Sequence, residues 1–189
     1  IDDAAARGCA VVMMLHSTHD PVYDIPGAEL FRIADHLRRC DRLLVHSITD
    51  LNRLKAIGLV DNVALFPHGA LPSAIAPADR SAPDAPPLVA SYGFALPDKG
   101  LMQLIDAAAL LRDQGKPVRL RMLNAEFPAS VSPPLIQALH ARIVETGLSD
   151  LVELVNDFLT DEDSLTRLAD ADLIVFPYQK SGESASGAV

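Results

Sequence analysis

Short apolar runs alternate with amphipathic segments along most of this chain. Runs such as those at 9–15, 151–155 and 173–176 are rich in Val, Leu, Ile and Met, as is typical of strands buried on both faces of a parallel sheet. Segments between them, such as 101–115, space Leu, Ile and Ala as one face of a helix requires. Because parallel strands need helical crossovers, this alternation predicts an α/β chain with doubly wound parallel sheets.

The predicted elements fall into two groups, separated by a segment without periodicity. Residues 73–87 are mostly Pro, Ala and polar residues, a composition typical of an interdomain linker. We therefore expect two domains, at 1–72 and 88–189. Predicted strands lie at 9–15, 42–47, 62–69, 88–94, 118–124, 151–155 and 173–176. Predicted helices lie at 28–40, 50–57, 101–115, 135–146 and 161–171.

Two of these helices carry a sequence signal for their first residue. Ser47 or Thr49 can cap the helix at 50–57. Thr160 stands three residues before Asp163, which is the spacing of a capping box, although that motif prefers Glu or Gln at the later position. Both signals predict helices that begin directly after a strand and a short loop.

The chain is acidic overall, with a formal net charge of −9 and a sequence pI near 5.0. Nucleic-acid binding depends on basic surface that displaces counterions, so we expect no nucleic-acid partner. Basic residues do gather on or beside the predicted helix at 28–40, namely Arg32, Arg38, Arg39 and Arg42. They form either a solvated helix face or a contact for an anionic acceptor or lipid headgroups, which would be a peripheral membrane contact.

Cysteine use and the lack of targeting signals favour the cytoplasm. Cys9 and Cys40 have no paired spacing and stand in apolar or helical contexts, so we interpret them as buried thiols of a reducing compartment. No run approaches the ~18 apolar residues that span a bilayer, and no stretch has the pattern of a signal peptide. The chain starts at Ile1 rather than Met, which we interpret as an indication of a fragment.

A lone carboxylate follows the last predicted strand. Pro177 ends the strand at 173–176, and Glu183 then stands among small residues, namely Ser181, Gly182, Ser184, Ser186 and Gly187. Ligands bind beyond the carboxyl ends of strands in open α/β sheets, and small residues there leave backbone N–H groups open to an anion. No G-x-G-x-x-G follows a strand and no G-x-x-x-x-G-K-S/T occurs, which disfavours a dinucleotide dehydrogenase and a P-loop NTPase.

Two segments carry a resemblance to a known family. "SYGFALPDKG" at 91–100 and "FPYQKSGESASGAV" at 176–189 resemble the donor-binding half of retaining glycosyltransferases of the GT-B fold, family 4. The resemblance implies two Rossmann-like domains, with 1–72 as the last part of the acceptor-side domain and 88–189 as a truncated donor-binding domain. A second family glutamate would fall two residues beyond Val189, so both domains are expected to be incomplete and the chain to be a fragment.

The resemblance assigns a role to Lys99 and Gly100 in the loop after the strand at 88–94. In that family the lysine of this "KG" holds the donor diphosphate and stabilises the leaving group, usually together with an arginine a few residues earlier. Phe94 stands where that arginine often is, so the diphosphate would be one cation short. Without the resemblance, an exposed loop lysine is the simpler interpretation of Lys99.

The resemblance also assigns donor contacts to the end of the chain and to one aromatic residue. Glu183 would bind hydroxyls of the donor sugar, and the backbone amides that follow it, among Ser184, Ser186 and Gly187, would contact phosphate. Phe158 lies in the loop that borders the nucleotide base in the family, although packing in the core is an equally good interpretation of it.

His16 is the candidate on the first domain, because it directly follows a predicted strand. Without the resemblance, a structural histidine is an equally good interpretation of it. In several family members a histidine there lies beside the transferred sugar, so His16, Lys99 and Glu183 would converge around one cleft as the catalytic groups. Within "HSTHD", His16, His19 and Asp20 also have a spacing compatible with a metal. The resembled family needs no metal for catalysis, and we expect neither a metal nor a cofactor besides the nucleotide-sugar donor.

The sequence therefore predicts a retaining glycosyltransferase that moves a sugar from a nucleotide-sugar donor to an unknown acceptor hydroxyl, on a glycan or a lipid-linked molecule. The fragment itself would be inactive. Two alternatives stay open: a non-catalytic nucleotide-binding or scaffold relative, which the residue at Phe94 favours, and a nucleotide-sugar epimerase with the same two-domain layout.

Overall fold

The computed structural model describes residues 2–18, 29–69, 85–127 and 129–179. These residues form two compact units, which we call unit 1, up to residue 69, and unit 2, from residue 85 onward. Each unit is built around a parallel sheet of its own. The predicted α/β class with two parallel sheets is therefore confirmed.

Unit 1 contains a three-stranded parallel sheet in which β2, Arg42–Val45, lies between β1, Val12–Leu15, and β3, Val63–Leu65. Leu15 of the first strand pairs with Val45 of the second, and Val45 pairs with Leu65 of the third. A 3₁₀ helix at Leu30–Ile33 leads into the second α-helix. The elements in chain order are α1 Asp2–Ala6, β1 Val12–Leu15, α2 Ala34–Arg38, β2 Arg42–Val45, α3 Ile48–Ala56 and β3 Val63–Leu65.

The core of unit 1 lies between the central strand β2 and the helices α2 and α3. Its buried members are Leu37, Cys40, Leu43, Val45, Leu54 and Leu59. The side-chain amide of Asn62 donates hydrogen bonds to the carbonyls of Leu37 and Cys40, which satisfies acceptors at the end of α2.

Unit 2 contains a four-stranded parallel sheet whose strands lie in the order β6 (Val152–Val155), β5 (Arg119–Ala125), β4 (Leu88–Phe94) and β7 (Leu173–Ile174). A 3₁₀ turn at Pro97–Lys99 joins the first strand of the unit to its first helix. The elements in chain order are β4 Leu88–Phe94, α4 Leu101–Asp113, β5 Arg119–Ala125, α5 Ser132–Glu145, β6 Val152–Val155, α6 Asp161–Ala169 and β7 Leu173–Ile174.

The core of unit 2 is formed by one face of α4, one face of α5 and the strand β5. Leu101, Ile105 and Ala108 are buried at intervals of four and three residues, so they form a single stripe on α4. They pack with Leu120 and Met122 of β5. This arrangement confirms the amphipathic helix that the sequence predicts at 101–115.

The strand order places a topological switch point between β4 and β7. From β4 the chain moves outward through β5 to β6, and it then returns to pair β7 with the other side of β4, Val89 lying opposite Leu173. At such a point the loops on either side diverge and open a crevice beyond the carboxyl ends of the strands. The loop after β4 and the residues after β7 therefore flank the expected ligand position of unit 2.

Two strands predicted to be buried on both faces are half exposed. Val12 and Met14 of β1 are 57% and 40% exposed, and Leu173 and Ile174 of β7 are 56% and 41% exposed. Within the described residues both are edge strands, so each has a paired neighbour on one side only. The prediction of full burial is wrong because a continuous apolar run does not distinguish a central strand from an edge strand.

Two smaller predictions also need correction. Cys9 is an exposed thiol that precedes β1, whereas Cys40 is buried as predicted, and both are free. The helix predicted at 28–40 consists of a 3₁₀ turn followed by the short α2. None of the helices in the described ranges combines the length and the apolar character needed to cross a bilayer.

Candidate functional site

Lys99 lies at the carboxyl edge of the unit 2 sheet, in the 3₁₀ turn after β4. It is 8% exposed, and its Nζ lies 4.0 Å from the centre of the Tyr178 ring. The face of a tyrosine ring is electron-rich and attracts a cation, so burial against it is compatible with a charged ammonium group. The interpretation of Lys99 as an exposed loop lysine is therefore wrong.

Gly100 brings the loop after β4 into contact with the residues after β7. Its φ is 69°, in the left-handed region, and a Cβ at this position would come within 1.9 Å of the carbonyl oxygen of Pro177. Next to it, the backbone N–H of Gln179 donates to the carbonyl of Asp98 at 2.9 Å. Only glycine fits here without displacing backbone, and the close approach brings Lys99 to the switch point.

The amino terminus of α4 differs from those of α3 and α6. The helices α3 and α6 begin with Ser47 and Thr160 as capping side chains and carry acidic residues in their first turns. By contrast, α4 follows Gly100, makes no side-chain cap hydrogen bond and has no acidic residue in its first turn. A helix end carries about half a positive charge, so the amino terminus of α4 suits an external anion such as a phosphate.

Three exposed phenylalanines lie at the ends of three adjacent strands, and we call them the phenylalanine cluster. Phe94 ends β4, Phe127 follows β5 and Phe158 follows β6. The ring centre of Phe94 lies 5.0 Å from that of Phe127 and 6.2 Å from that of Phe158. Phe158 is 80% exposed, so core packing is excluded for it. An exposed apolar group at this edge indicates a contact surface.

Buried hydrogen bonds hold the strand ends beneath this surface. The hydroxyl of Ser91 donates to the side-chain oxygen of Asn124 at 2.7 Å, and both residues are buried. The side-chain amide of Asn156 donates to the carbonyl of Asn124 at 2.9 Å. These bonds link β4, β5 and the end of β6, and they give the loops above them a fixed base.

In unit 1 a histidine follows each of the three strands, and we call the three the histidine cluster. His16 directly follows β1, His46 directly follows β2 and His68 stands three residues after β3. The Nε2 atom of His46 lies 3.2 Å from the Nδ1 atom of His16. The rings of His46 and His68 stack with their centres 3.8 Å apart.

The protonation pattern of the histidine cluster follows from one backbone contact. The Nδ1 atom of His46 lies 2.9 Å from the carbonyl oxygen of Phe66. A carbonyl only accepts, so Nδ1 of His46 carries the proton and its Nε2 keeps a lone pair when the ring is neutral. The Nδ1–H group of His16 then donates to that lone pair.

The histidine cluster disfavours a positive charge on His68. Desolvation of the ring, then the charge that His46 can carry and then that of His16, lower the pKa of His68 below its ordinary value of 6.5. Like charges at this separation raise the free energy of the protonated form. The lowered pKa of His68 therefore favours its neutral imidazole, which is the form that binds metal ions.

Asp50 anchors the loop after β1 on which His16 stands. Its carboxylate is 1% exposed and accepts hydrogen bonds from Thr18 Oγ1 at 2.5 Å and from Ser47 Oγ at 2.6 Å. The Ser47 hydroxyl in turn accepts from the backbone N–H of Asp50 as the cap of α3. Since Thr18 lies two residues after His16, this network fixes the start of that loop.

The structure describes some of the predicted site residues and not others. Lys99, Gly100, Phe158 and His16 all lie at carboxyl edges of their sheets, as predicted. Several predicted residues lie outside the described residues, namely His19, Asp20, Glu183, Ser184, Ser186 and Gly187. Sequence reasoning missed His46, His68, Phe127 and Tyr178. The signal that could have identified the histidine cluster was a histidine directly after the predicted strand at 9–15 and one near the end of each predicted strand at 42–47 and 62–69.

No protein-family model and no curated protein matches this sequence. Several solved structures resemble it. The UDP-forming α,α-trehalose-phosphate synthase from Burkholderia vietnamiensis superposes with a TM-score of 0.72 at 13% identity, over 95% of this chain and 49% of that chain. HepE from Anabaena in complex with UDP gives a TM-score of 0.69 at 18% identity, over 94% of this chain and 49% of that chain.

Sucrose-phosphate synthase from Thermosynechococcus elongatus gives a TM-score of 0.68 at 19% identity, over 95% of this chain and 48% of that chain. This chain thus spans about half the length of the proteins it resembles. At these identities the similarity shows the fold, which is the GT-B type with two Rossmann-like parallel α/β units.

Proposed function

We propose that this chain is part of a glycosyltransferase in which unit 2 binds the diphosphate of a nucleotide-sugar donor. The observation that carries the proposal is the contact at the switch point, where Lys99 and Gly100 meet the residues after β7. One cation, one helix amino terminus and a position that admits only glycine meet at the edge where α/β sheets bind ligands. The similar structures support the proposal, since they include HepE in complex with UDP and a UDP-forming trehalose-phosphate synthase.

The proposed chemistry depends on electrostatic stabilisation of the leaving group. As the bond between the sugar and the diphosphate breaks, negative charge grows on the diphosphate and positive charge on the sugar ring. Lys99 would offset the charge on the diphosphate, and the amino terminus of α4 would add its partial charge. Charged and hydrogen-bonding groups of the protein that are already in position lower the barrier, because they need not reorganise during the reaction. The hydrogen bonds beneath the strand ends favour such rigidity.

The phenylalanine cluster would provide the surface for the nucleotide base. Phe158 is the outermost ring, and every nucleobase presents a flat face that stacks on an aromatic side chain. Phe94, which replaces the arginine often found in the resembled family, belongs to the same surface. We therefore propose that this position contributes to base packing rather than to charge.

The remaining assignments complete the proposal. Glu183 would orient the donor sugar, and His16 would serve as a hydrogen-bonding group beside the transferred sugar. We propose retention of the anomeric configuration, an unknown acceptor hydroxyl and a cytoplasmic location, as the resemblance and the composition imply. Family 4 remains part of this proposal, because the structural similarity extends only to the fold.

The proposal is tested on the whole glycosyltransferase that contains this chain, by titrating it with UDP, GDP and ADP in a calorimeter and by measuring release of nucleoside diphosphate from matching donors. The informative variant is Lys99→Met, which keeps an unbranched stem beside Tyr178 while removing the charge. Lys116→Met is the matched control, since Lys116 is exposed in the loop after α4. Circular dichroism checks that each variant is folded.

We expect Lys99→Met to lower donor turnover by roughly 100-fold to 1,000-fold, as is usual for loss of one preorganised charge at a leaving group. Lys116→Met should leave donor turnover unchanged. Wild-type protein that binds no nucleoside diphosphate would contradict the proposal. So would equal turnover in Lys99→Met and wild type.

A second candidate function is a nucleotide-binding scaffold without transfer activity, and the aromatic residue at Phe94 favours it. Such a protein would bind a nucleoside diphosphate and lose that binding in Lys99→Met, but it would release none from any donor. Product analysis also separates the epimerase alternative, which would convert the donor sugar without transferring it.

A further inference from the structure

We propose that the histidine cluster of unit 1 is a binding site for a divalent transition-metal ion of the zinc type, with His16, His46 and His68 as its ligands. The inference does not rest on the proposed sugar transfer, and no residue of unit 2 takes part in it. Nothing in the resemblance implies this site.

The spacing of the three rings fits a single ion. Each histidine offers one ring nitrogen, and the three nitrogens all lie within 4.8 Å of one another. A zinc–nitrogen bond is about 2.0–2.1 Å long, which places tetrahedral ligand atoms roughly 3.3 Å apart. Nε2 of His46 and Nδ1 of His16 already have this separation, at 3.2 Å. His68 is exposed, so its ring can turn from the stacked position to bring its nitrogen to the ion.

The neighbours of His46 provide the orientation that metal ligands usually have. A ligating histidine typically donates its other ring N–H to a backbone carbonyl, which fixes the tautomer and directs the lone pair at the ion. In His46 the Nδ1–H group donates to the Phe66 carbonyl, so Nε2 is the ligand atom. Binding would replace the hydrogen bond between His16 and His46, and the proton on Nδ1 of His16 would move to its Nε2.

The backbone that carries the ligands is held in place. His16 and His46 follow the paired residues Leu15 and Val45, so the sheet register brings them side by side. The loop after His16 is tied to α3 through the bond from Thr18 to Asp50. Little reorganisation is therefore needed on binding, apart from rotation of the His68 side chain.

The chemistry of the ligand set indicates the class of ion. Among the described residues, the converging group contains three imidazoles and no carboxylate. Imidazole nitrogen suits Zn²⁺, Co²⁺, Ni²⁺ and Cu²⁺, whereas Mg²⁺ and Ca²⁺ prefer oxygen ligands. Three protein ligands leave a fourth tetrahedral position for water or another small ligand.

The test uses untagged protein that has been treated with EDTA and dialysed. Zn²⁺ is titrated against a chromophoric chelator, and Co²⁺ is added separately because its visible absorption strengthens on tetrahedral coordination. The main variant is His68→Ala, which removes an exposed ligand with little risk to folding. The matched control is His140→Ala, since His140 is exposed on α5 in unit 2.

We expect wild-type protein to bind one equivalent of Zn²⁺ and to show the Co²⁺ absorption, with no competition from Mg²⁺. His68→Ala should weaken Zn²⁺ binding by roughly 100-fold or more, because loss of a ligand costs at least as much as loss of the partners that orient one. His140→Ala should bind as wild type does.

Three results would overturn the inference. The first is wild-type protein that binds no Zn²⁺. The second is undiminished binding by His68→Ala. The third is loss of binding in His19→Ala while His68→Ala retains it, which would place the ion on the loop after His16 instead.

Discussion

The two units of this protein share an architecture and differ in what stands at the carboxyl ends of their strands. In unit 1 these positions hold the three imidazoles of the histidine cluster. In unit 2 they hold Lys99 and the phenylalanine cluster, beside a helix amino terminus with no acidic residue in its first turn. The parallel sheet thus fixes where a ligand can bind, and the residues that follow each strand decide which ligand fits.

The first turns of α3 and α6 also share a local structure and differ in what they support. Asp50 in α3 and Asp163 in α6 each stand three residues after a capping hydroxyl, and each accepts a hydrogen bond from it. Asp50 is buried and also bonds Thr18, whereas Asp163 is exposed. Identical local signals therefore support a site in one unit and only a helix terminus in the other.

The largest expected effect comes from Gly100→Ala. The new Cβ would collide with the Pro177 carbonyl, in a backbone conformation that side chains rarely adopt. We expect a loss of about 3 kcal/mol or more in the free energy of unfolding, measured by chemical denaturation. Gly115→Ala is the control, because Gly115 has a φ of 73° with nothing near its Cβ position, and it should cost about 1 kcal/mol. Equal losses would show that the two loops of unit 2 do not meet closely.

The next effect compares Asp50→Ala with Asp163→Ala. Removing the Asp50 carboxylate leaves the hydroxyls of Thr18 and Ser47 without their acceptor in a buried place, so we expect a loss of about 3 kcal/mol in the free energy of unfolding. Asp163→Ala should cost about 0.5 kcal/mol, since the exposed carboxylate mainly complements the helix dipole. Costs of similar size would contradict the view that the Asp50 network supports the loop of His16.

A smaller effect concerns the pH dependence of stability in buffer that contains EDTA. The pKa of His68 is lowered in the folded state, so the folded state binds fewer protons than the unfolded state does. The free energy of unfolding should therefore decrease as the pH falls through the ordinary value of 6.5 toward the lower folded pKa. His68→Ala should flatten this slope while His140→Ala retains it. A slope unchanged by His68→Ala would show that the histidine cluster does not perturb that group.

The smallest expected effect on stability belongs to the exposed aromatic rings. Phe158→Ala in unit 2 and Phe31→Ala in unit 1 should each change the free energy of unfolding by less than about 0.5 kcal/mol, because both rings are exposed. Only Phe158→Ala should raise the Kd for a nucleoside diphosphate, by roughly fivefold for the loss of one stacking contact. If both variants bind the nucleoside diphosphate equally well, the phenylalanine cluster is not the surface on which the nucleotide base packs.

Much of the fold could be predicted from the sequence, because its signals are local. The strand Leu88–Phe94 has the predicted bounds, and the caps at Ser47 and Thr160 begin the predicted helices. Edge exposure of β1 and β7 could not be predicted, since it depends on the strand order. The 3₁₀ start of the helix after residue 29 was also missed, because apolar spacing does not distinguish a 3₁₀ turn from an α-helical one.

The site could be predicted only in part, because local sequence signals do not show which distant residues come into contact. Lys99 and Gly100 stand in a recognisable motif, but the burial of Lys99 against Tyr178 depends on a contact between loops almost eighty residues apart in sequence. The histidine cluster depends on the sheet register that places His16 beside His46. A single sequence shows a histidine at or near the end of each predicted strand of unit 1, and only the fold shows that the rings converge.

The most direct test asks whether the carboxyl edges of the two sheets bind different ligands. It measures amide hydrogen exchange by mass spectrometry, with and without a saturating nucleoside diphosphate. We predict slower exchange at 95–100 and 175–179 in unit 2, where the diphosphate would lie, and unchanged exchange at 63–69 beside His68. Protection confined to the segment beside His68, or unchanged exchange at 95–100 under saturation, would contradict the account.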